Sequence, residues 1–502
     1  MRNLSIKAAS AALCALLLAG ALSACGGGGT QTTTANSGAT TAVAGATTPG
    51  DTSATQMSPN VPEADYGGYT FTFLAHQEPA NGNWLTLDPR ELVSEQENGE
   101  LINDAVYKRN SVISQEFNVQ FAMLTNNNEL SLLKKSVAAG DNAYDCAVVF
   151  NNNVPSAITQ SLLMEVSNLQ YIDRSKPWWD PAANALTIDN KCYILGGDLT
   201  ILDKEATNSF FFNKDMIASL GLDSPYDLVN SGNWTFDKLA EMIKNVPLDL
   251  NGDGQMDQND RYGILTFNDT LHAMLVSGGG ALAVKDANDE PVMSFATQQN
   301  LNVITKATDI LYDKNSVYNM QSRESSASAT WGDHYQNMFS NNQGLFIWAR
   351  LSLAEFLRDV DINFGIIPMP KYDTNQANYS SLVNPYTGVM IGVPKSCPDT
   401  ARTSTILEAL SCESHYTLQP AYYDETLQRK MVRDNESSSM LDIIFANKVY
   451  DIGAVYSFGN VFTNFSNLYN NYNSDVASFY AKNEAAFNTA IAKVVAIFQS
   501  NS

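Results

Sequence analysis

Apolar and polar positions along the chain fall into two periods. From Tyr69, the aromatic residues Tyr69, Phe71 and Phe73 interleave with Thr70, Thr72 and Leu74, the period of a half-buried first strand. Leu101 to Phe117 carries apolar residues at helical spacing around Asn103-Asp104-Ala105-Val106 and Arg109-Asn110. Asp145-Cys146-Ala147-Val148-Val149-Phe150 reads as a fully buried strand, and Val154 to Leu163 as the next helix. A second unit opens at Ser209-Phe210-Phe211-Phe212-Asn213-Lys214. Trp234-Thr235-Phe236-Asp237 starts a helix with Thr235 as N-cap, and Phe236, Leu239, Ile243 and Val246 recur along it until Pro247. Tyr262-Gly263-Ile264-Leu265 then runs toward a strand. Gly344-Leu345-Phe346-Ile347-Trp348-Ala349-Arg350 and Phe364-Gly365-Ile366-Ile367-Pro368-Met369-Pro370 follow late in the chain. Val476, Phe479, Phe487, Ile491, Val494 and Phe498 give the last stretch an amphipathic helix. Strands alternating with helices predict crossover units and a parallel sheet, hence an α/β fold.

Ahead of these elements lies a different pattern. Arg2 and Lys7 precede an apolar run, Ala8 to Ala21, too short for a permanent spanning helix, and Leu22-Ser23-Ala24-Cys25-Gly26 follows. The arrangement resembles a bacterial lipoprotein signal. That resemblance implies cleavage before Cys25, fatty acylation of its thiol (palmitate), and a cell-membrane protein lipid-anchored on the extracytoplasmic face. An ordinary signal peptide cut near Ala24, or a short anchor helix, is the other reading. Residues 1–24 are thus a signal peptide. Residues 25–64, rich in Gly, Thr and Ser and lacking Lys or Arg, form a disordered tether. No second apolar stretch is long enough to cross a bilayer.

About 435 residues remain for the folded body, enough for two or three domains. Removing Arg2 and Lys7 leaves 28 basic residues against 53 acidic ones, a formal charge of −25. So acidic a surface repels phosphate backbones, which argues against nucleic acid as partner. Cys146, Cys192, Cys397 and Cys412 remain after the signal, an even number that permits disulfides. Cys146 reads as a buried free thiol; Cys397 and Cys412 are the pair that a disulfide would join.

Asp249-Leu250-Asn251-Gly252-Asp253-Gly254-Gln255-Met256-Asp257-Gln258-Asn259-Asp260 places side-chain oxygens at positions 1, 3, 5, 9 and 12 of a twelve-residue loop. Calcium needs six to eight hard oxygen ligands, and Gly254 at position 6 allows the sharp turn that wraps them. Asp249, Asn251, Asp253, Gln255 (through its carbonyl), Asp257 and Asp260 are the expected ligands of a structural Ca2+, with Met256 pointing into the core. The loop resembles those of EF-hands and dockerins. An acidic Asn/Gly turn is the plainer alternative.

The N-W-T helix, this loop and Tyr262-Gly263, with F-N-K at 212–214 and G-I-I-P-M-P-K at 365–371, resemble in their order the carbohydrate branch of ABC-importer solute-binding proteins. The resemblance implies a two-lobed periplasmic-binding-protein-like fold (type II) with a hinge, 65–205 plus 342–395 in one lobe and 206–341 plus 396–502 in the other. It also implies a carbohydrate between the lobes, permease subunits as partners and a monomer. Sugar C–H faces pack on aromatic rings, and hydroxyls need Asp, Asn, Gln or Arg. Candidates at strand ends are Gln77, Trp84, Asn151, Asn152, Asp198, Trp348 and Arg350, with Tyr386 and Tyr422 in later loops. Trp178 and Trp179 read as packing of a surface segment, and Gly278-Gly279-Gly280 as a flexible turn.

No G-x-S-x-G or H-E-x-x-H motif is present, and His76, His272, His334 and His415 are scattered without evident partners. The sequence therefore argues for a binding protein and not an enzyme. An exported carbohydrate-active hydrolase, needing only two carboxylates, and a receptor for a non-sugar solute are the alternatives.

Overall fold

Fully apolar strands need cover on both faces, and the chain meets this with two sheets. The computed structural model describes residues 56–77, 89–323, 334–358, 360–428 and 435–500. Cys25, Trp84, the signal segment and most of the tether lie outside them. Early in the chain come β1 (Tyr69–His76), β2 (Val119–Asn126) and β3 (Cys146–Phe150). Then follow β4 (Asn208–Asn213), β5 (Tyr262–Thr266), β6 (Ala283–Lys285), β7 (Pro291–Met293) and β8 (Val317–Asn319). β9 (Gly344–Arg350), β10 (Phe364–Ile367), β11 (Ser381–Leu382), β12 (Val389–Gly392) and β13 (Lys448–Val449) complete the set.

The first sheet has the order β12-β3-β1-β2. β1 runs parallel to β2 from Tyr69↔Val119 to His76↔Asn126, and parallel to β3 through Phe73↔Cys146. β12 returns antiparallel to β3. Phe71, Phe73 and Val148 pack with Ile406 and Leu410 of the helix Thr400–Tyr416 on one side. Leu74, Ala147 and Val149 pack with Val154 and Ile158 on the other. The second sheet has the order β10-β4-β9-β5-β8, with β5 parallel to β8 and β9, and β4 antiparallel to both its neighbours. Its core holds Phe210, Phe346, Trp234 and Phe236; Thr235 caps the helix Phe236–Ile243 by accepting from the Lys238 amide. These two lobes are the α/β type II architecture expected from the sequence.

Several local expectations change. β9 and β10 belong to the second sheet, not to the first lobe where 342–395 was assigned; within that stretch, β12 alone among the longer strands joins the first sheet. The helix Thr400–Tyr416, assigned to the second lobe, packs on the first. Both differences come from pairing between distant segments, which periodicity does not encode. The helix expected at 154–163 stops at Thr159, because Ser161 adopts a left-handed conformation (φ 54°). Residues 56–64, counted in the tether, lie against the first lobe, where Val61 and Ala64 pack on its core and the Met57 amide donates to Tyr416 Oη at 3.0 Å. Trp178 and Trp179 are buried, not superficial, and both indoles donate to Glu408, at 3.0 and 2.8 Å. Cys146, Cys192, Cys397 and Cys412 are all buried free thiols, so Cys397 and Cys412 are unpaired.

At one junction between the lobes, three segments of chain meet side by side. Thr207 bridges Val383, the Asn384 amide donates to the Ala206 carbonyl at 2.9 Å, and the Val383 amide donates to the Val449 carbonyl at 2.9 Å. β11 and β13 pair in parallel at this junction. Lys448 carries the one charge of β13 inward. Its ammonium lies 2.7 Å from Asp180 of the first lobe and also bonds Asp203, on the approach to β4; all three side chains are less than a tenth exposed. Burial would strip the ammonium of its proton, but Asp203 and Asp180 outweigh it and hold the lysine charged.

Replacing Lys448 by Met leaves two buried carboxylates with no counter-charge, a change that typically costs about 3–5 kcal/mol. Lys448→Met is therefore expected to melt many degrees below the parent in a thermal denaturation scan. An unchanged melting temperature would show that the ammonium does not hold the junction.

Candidate functional site

In sheets of this kind, ligands collect where parallel strands end. At that edge of the second sheet, β9 closes with Trp348 and Arg350, two residues apart and so on one face. Across the ladder, Asn208 faces Arg350 and Phe210 faces Trp348. β8 ends at Asn319, opposite Thr266 of β5. All these side chains are buried, yet both side-chain polar atoms of Asn208 and of Asn319 and the indole nitrogen of Trp348 lack hydrogen-bond partners, as does Gln336 Oε1. Buried polar groups are almost always paired, so these atoms keep hydrogen-bonding capacity for a solute or for water.

After β5 the chain turns through Phe267 and Asp269. Phe267 stacks on Tyr335 with ring centroids 5.9 Å apart. Asp269 is buried; its Oδ2 accepts from Asn384 at 3.0 Å and its Oδ1 has no donor. Burial raises the Asp269 carboxyl, against Asn384, His272 and Arg350. Burial likewise lowers the Arg350 guanidinium, with Tyr335, Asp269 and Glu205 opposing. The Tyr335 hydroxyl is pushed up to about 12 by burial and stays protonated. Burial thus opposes the charge of both groups, and each group favours the charge of the other.

Asn384 carries the edge across to the first sheet. Its Oδ1 accepts from the Tyr386 amide at 2.9 Å, and the Gly388 carbonyl, just before β12, accepts from the Asn151 amide at 2.9 Å. Gly388 is required here, since a Cβ would lie 2.5 Å from Asn151 Nδ2. Asn151, directly after β3, is buried and neither of its side-chain atoms has a partner; Thr387 Oγ1 is likewise unpaired. At the end of β1, His76 meets Glu129 at 2.7 Å, and Asn153 donates to the same carboxylate at 2.7 Å. Tyr386 is partly exposed, its ring 5.1 Å from Phe462.

Of the residues expected to face ligand, Asn151, Trp348, Arg350 and Tyr386 belong to this connected set. Four others have different surroundings. Gln77 is exposed, and its amide oxygen accepts from Thr125 at 2.5 Å. Asn152 is exposed. Asp198 is taken up by Lys204 at 3.2 Å and His415 at 2.6 Å. Tyr422 is buried in a small cluster with Ile102, Val106, Ile201 and Leu418. Trp84 lies outside the described residues. Sequence reasoning missed Asn208, Asn319, Asp269, Gln336 and Asn384. Asn208 and Asn319 had a usable signal, a polar residue bounding an apolar strand, the one that marked Asn151. The histidines, read as partnerless, are not: His76 pairs with Glu129, His415 with Asp198, and His272 with Asp451 at 2.8 Å.

The loop 249–260 is closed by its own amides. Asp249 accepts from Gly252 at 2.6 Å and from Gly254 at 2.8 Å, bonds that hold its carboxyl below the ordinary range. Asp253 accepts from Gln255, and buried Asp260 accepts from Leu250 and Asp257. Gly254 takes φ +78°, the turn that its position requires. Met256 packs partly buried against the second core. The oxygens suit a hard cation in kind, but among the described residues no three acidic, His or Cys side chains are gathered closely enough to hold one.

Comparison with known proteins gives a consistent picture. The family described as bacterial extracellular solute-binding protein matches residues 118–403. Among solved structures, an ABC substrate-binding protein from Listeria monocytogenes in complex with cycloalternan is 13% identical; the match covers 85% of this chain and 98% of that one, with a TM-score of 0.51. UspC of M. tuberculosis is 15% identical over 85% of this chain and 100% of that one, with a TM-score of 0.53. A cyclo/maltodextrin-binding protein complexed with maltotetraose is 15% identical over 87% and 98%, with a TM-score of 0.52. At such identities the likeness speaks for the fold. No curated protein matches the chain.

If the orphaned amides serve ligand and not the fold, removing them should help the ligand-free protein. Asn208→Leu and Asn319→Leu are each expected to raise its unfolding free energy by about 1–3 kcal/mol, the cost of an unsatisfied buried group. Denaturant titration measures this, and a loss of similar size would make them structural residues instead.

Proposed function

Because the chain belongs to the bacterial extracellular solute-binding proteins, we propose that it is the receptor subunit of an ABC importer, capturing a carbohydrate between its two lobes for delivery to a membrane permease. One observation carries the choice of ligand: the buried amides and indole without partners at the strand ends. Sugar hydroxyls both donate and accept, as do Asn and Gln side chains, so one hydroxyl-rich solute satisfies such a set group by group. The aromatic surfaces of Trp348, Tyr335 and Tyr386 offer apolar cover for C–H faces. Two of the similar structures were solved with cycloalternan and with maltotetraose, which supports the same class of ligand.

Capture needs the two edges to approach. Segments of chain that meet at Thr207, Val383 and Val449 form one junction between the lobes, which supports such a turn. A glycosidase needs two carboxylates flanking the scissile bond. Among the described residues the orphaned strand-end set contains one, Asp269, which favours retention of an intact ligand. We place the protein on the extracytoplasmic face, held by lipid at Cys25. Among the described residues no helix is long and apolar enough to cross a membrane.

A panel of monosaccharides, maltodextrins and raffinose, screened by thermal shift, tests the receptor reading. A bound sugar at a hundred times its Kd adds about 2.7 kcal/mol of stability, several degrees of melting temperature, and is recovered unchanged after long incubation. Shortened sugar, or no shift with any member, defeats the reading.

We also propose that the loop 249–260 takes a structural calcium ion through Asp249, Asn251, Asp253, Gln255, Asp257 and Asp260. Each carboxylate oxygen that accepts an amide keeps a further lone pair for a cation, and the 1-3-5-7-9-12 spacing supplies the required six donors. Chelation with EGTA is expected to lower the melting temperature of the parent but not of Asp253→Ala. A parent melt indifferent to EGTA leaves the loop an amide-capped turn.

A further inference from the structure

We propose that Asn384 is a positioning residue of the strand-end site: its side-chain amide holds the Asp269 carboxylate so that Oδ1 is the oxygen left for a ligand hydroxyl, while the turn it opens holds Asn151 of the other sheet. The inference rests on the receptor reading above and deepens it by naming the residue that joins the two halves of that site.

Asp269 stands at the N-cap of the helix Thr270–Ser277, where an aspartate ordinarily accepts from an amide of the first turn. Here its side chain makes no such bond. Its Oδ2 accepts instead from Asn384 Nδ2 at 3.0 Å, from a residue 115 positions further along the chain. Its Oδ1 is buried without a donor. The carboxylate is therefore drawn away from the helix end, with one oxygen fixed and the other uncommitted.

The orientation of the Asn384 amide follows from its second contact. The Tyr386 N–H can only donate, and it meets Asn384 Oδ1 at 2.9 Å. The amide nitrogen is thus the end that faces Asp269. Aspartate has the same shape as asparagine but no donor when ionised, and leucine has neither donor nor acceptor. The main chain of Asn384 is used as fully. Its N–H donates to the Ala206 carbonyl at 2.9 Å, and its carbonyl accepts from Gly388 at 2.9 Å and from Thr387 at 3.3 Å. The turn closed in this way offers the Gly388 carbonyl to the Asn151 amide at 2.9 Å.

One buried asparagine therefore leads by hydrogen bonds to Asp269, after β5, and to Asn151, after β3. Both routes end in side-chain atoms without partners, Asp269 Oδ1 and the two polar atoms of Asn151. Groups held in place before a ligand arrives cost less to order when it binds. Asn384 contributes to affinity in this way without itself having to touch the ligand.

Asn384→Asp tests this on the full chain, because it keeps the shape and removes the donor. While one of the two facing carboxyls keeps a proton, its O–H stands in for the amide; once both are ionised, they repel. The probe is whichever sugar of the panel above binds the parent most tightly, followed by titration calorimetry. The affinity of the variant relative to the parent should fall by about tenfold or more between about pH 5 and about pH 8. Taking that ratio sets aside His272, Arg350, Tyr335 and Tyr386, the titratable groups that share a charge interaction with Asp269 and are common to both proteins. In the double variant Asn384→Asp, Asp269→Asn, donor and acceptor change places, and an amide oxygen at position 269 takes over from Oδ1. It should recover most of the lost affinity and lose the pH dependence. Should Asn384→Asp fold poorly at high pH, its melting temperature carries the same signature, rising toward that of the parent on acidification and in the double variant. A relative affinity and melting temperature that stay flat with pH, or a double variant no better than Asn384→Asp, overturns the positioning role and leaves the receptor reading intact. A parent that binds no sugar of the panel overturns both.

Discussion

A lysine side chain buried among acids governs how this molecule is put together. Lys448 belongs to a two-residue strand, far too short to fix the path of the chain on its own. Its ammonium bonds Asp180 in the first lobe and Asp203 beside the first connection, while its backbone pairs with β11 of the second connection. Three passages of chain between the lobes are therefore gathered at one place. Away from water, an ion held by two counter-ions has little freedom to drift, because each small displacement loses Coulomb energy that solvent cannot replace.

That anchoring also sets what the strand ends can do. The first sheet contributes Asn151 and the second contributes Asn208, Asn319, Trp348 and Arg350; Asn384 and Gly388, on the connection itself, lie between them. A polar residue at the end of a buried strand has left the sheet's hydrogen-bond ladder but not yet reached solvent. It must be paired by the protein or left for a ligand. His76 and Asp198 show the first outcome, each tied into an ion pair. Asn208 and Asn319 show the second.

Much of the fold was legible in the sequence because its elements are strongly periodic. β1, β3, β4, β9 and the helices Leu101–Phe117 and Val476–Ser500 all lie where apolar spacing put them. Lobe membership was not legible. β9 joins β4 and β5, and β12 joins β3, through pairings set by the whole topology and not by any neighbouring residue. The site was half legible. Trp348, Arg350 and Asn151 enter the candidate set by the rule that polar or aromatic residues closing an apolar strand face outward from its end. Asp198, in a Gly-Gly-Asp turn, is held by Lys204 six residues on and by His415 from a distant helix. Tyr422 lies apart from that set because one face of its helix is covered by the helix Leu101–Phe117, a contact that local sequence does not announce.

The interleaving of the two sheets also bears on synthesis. When a ribosome has released only the first half of the chain, β3 is an open edge awaiting β12, and β4 and β5 have no common neighbour until β9 emerges. Neither half can close early, so the nascent polypeptide stays loose, with sticky strand edges, until the last quarter has been made. A polypeptide organised this way keeps strand edges open for longer as it grows than one built from two consecutive, self-contained halves.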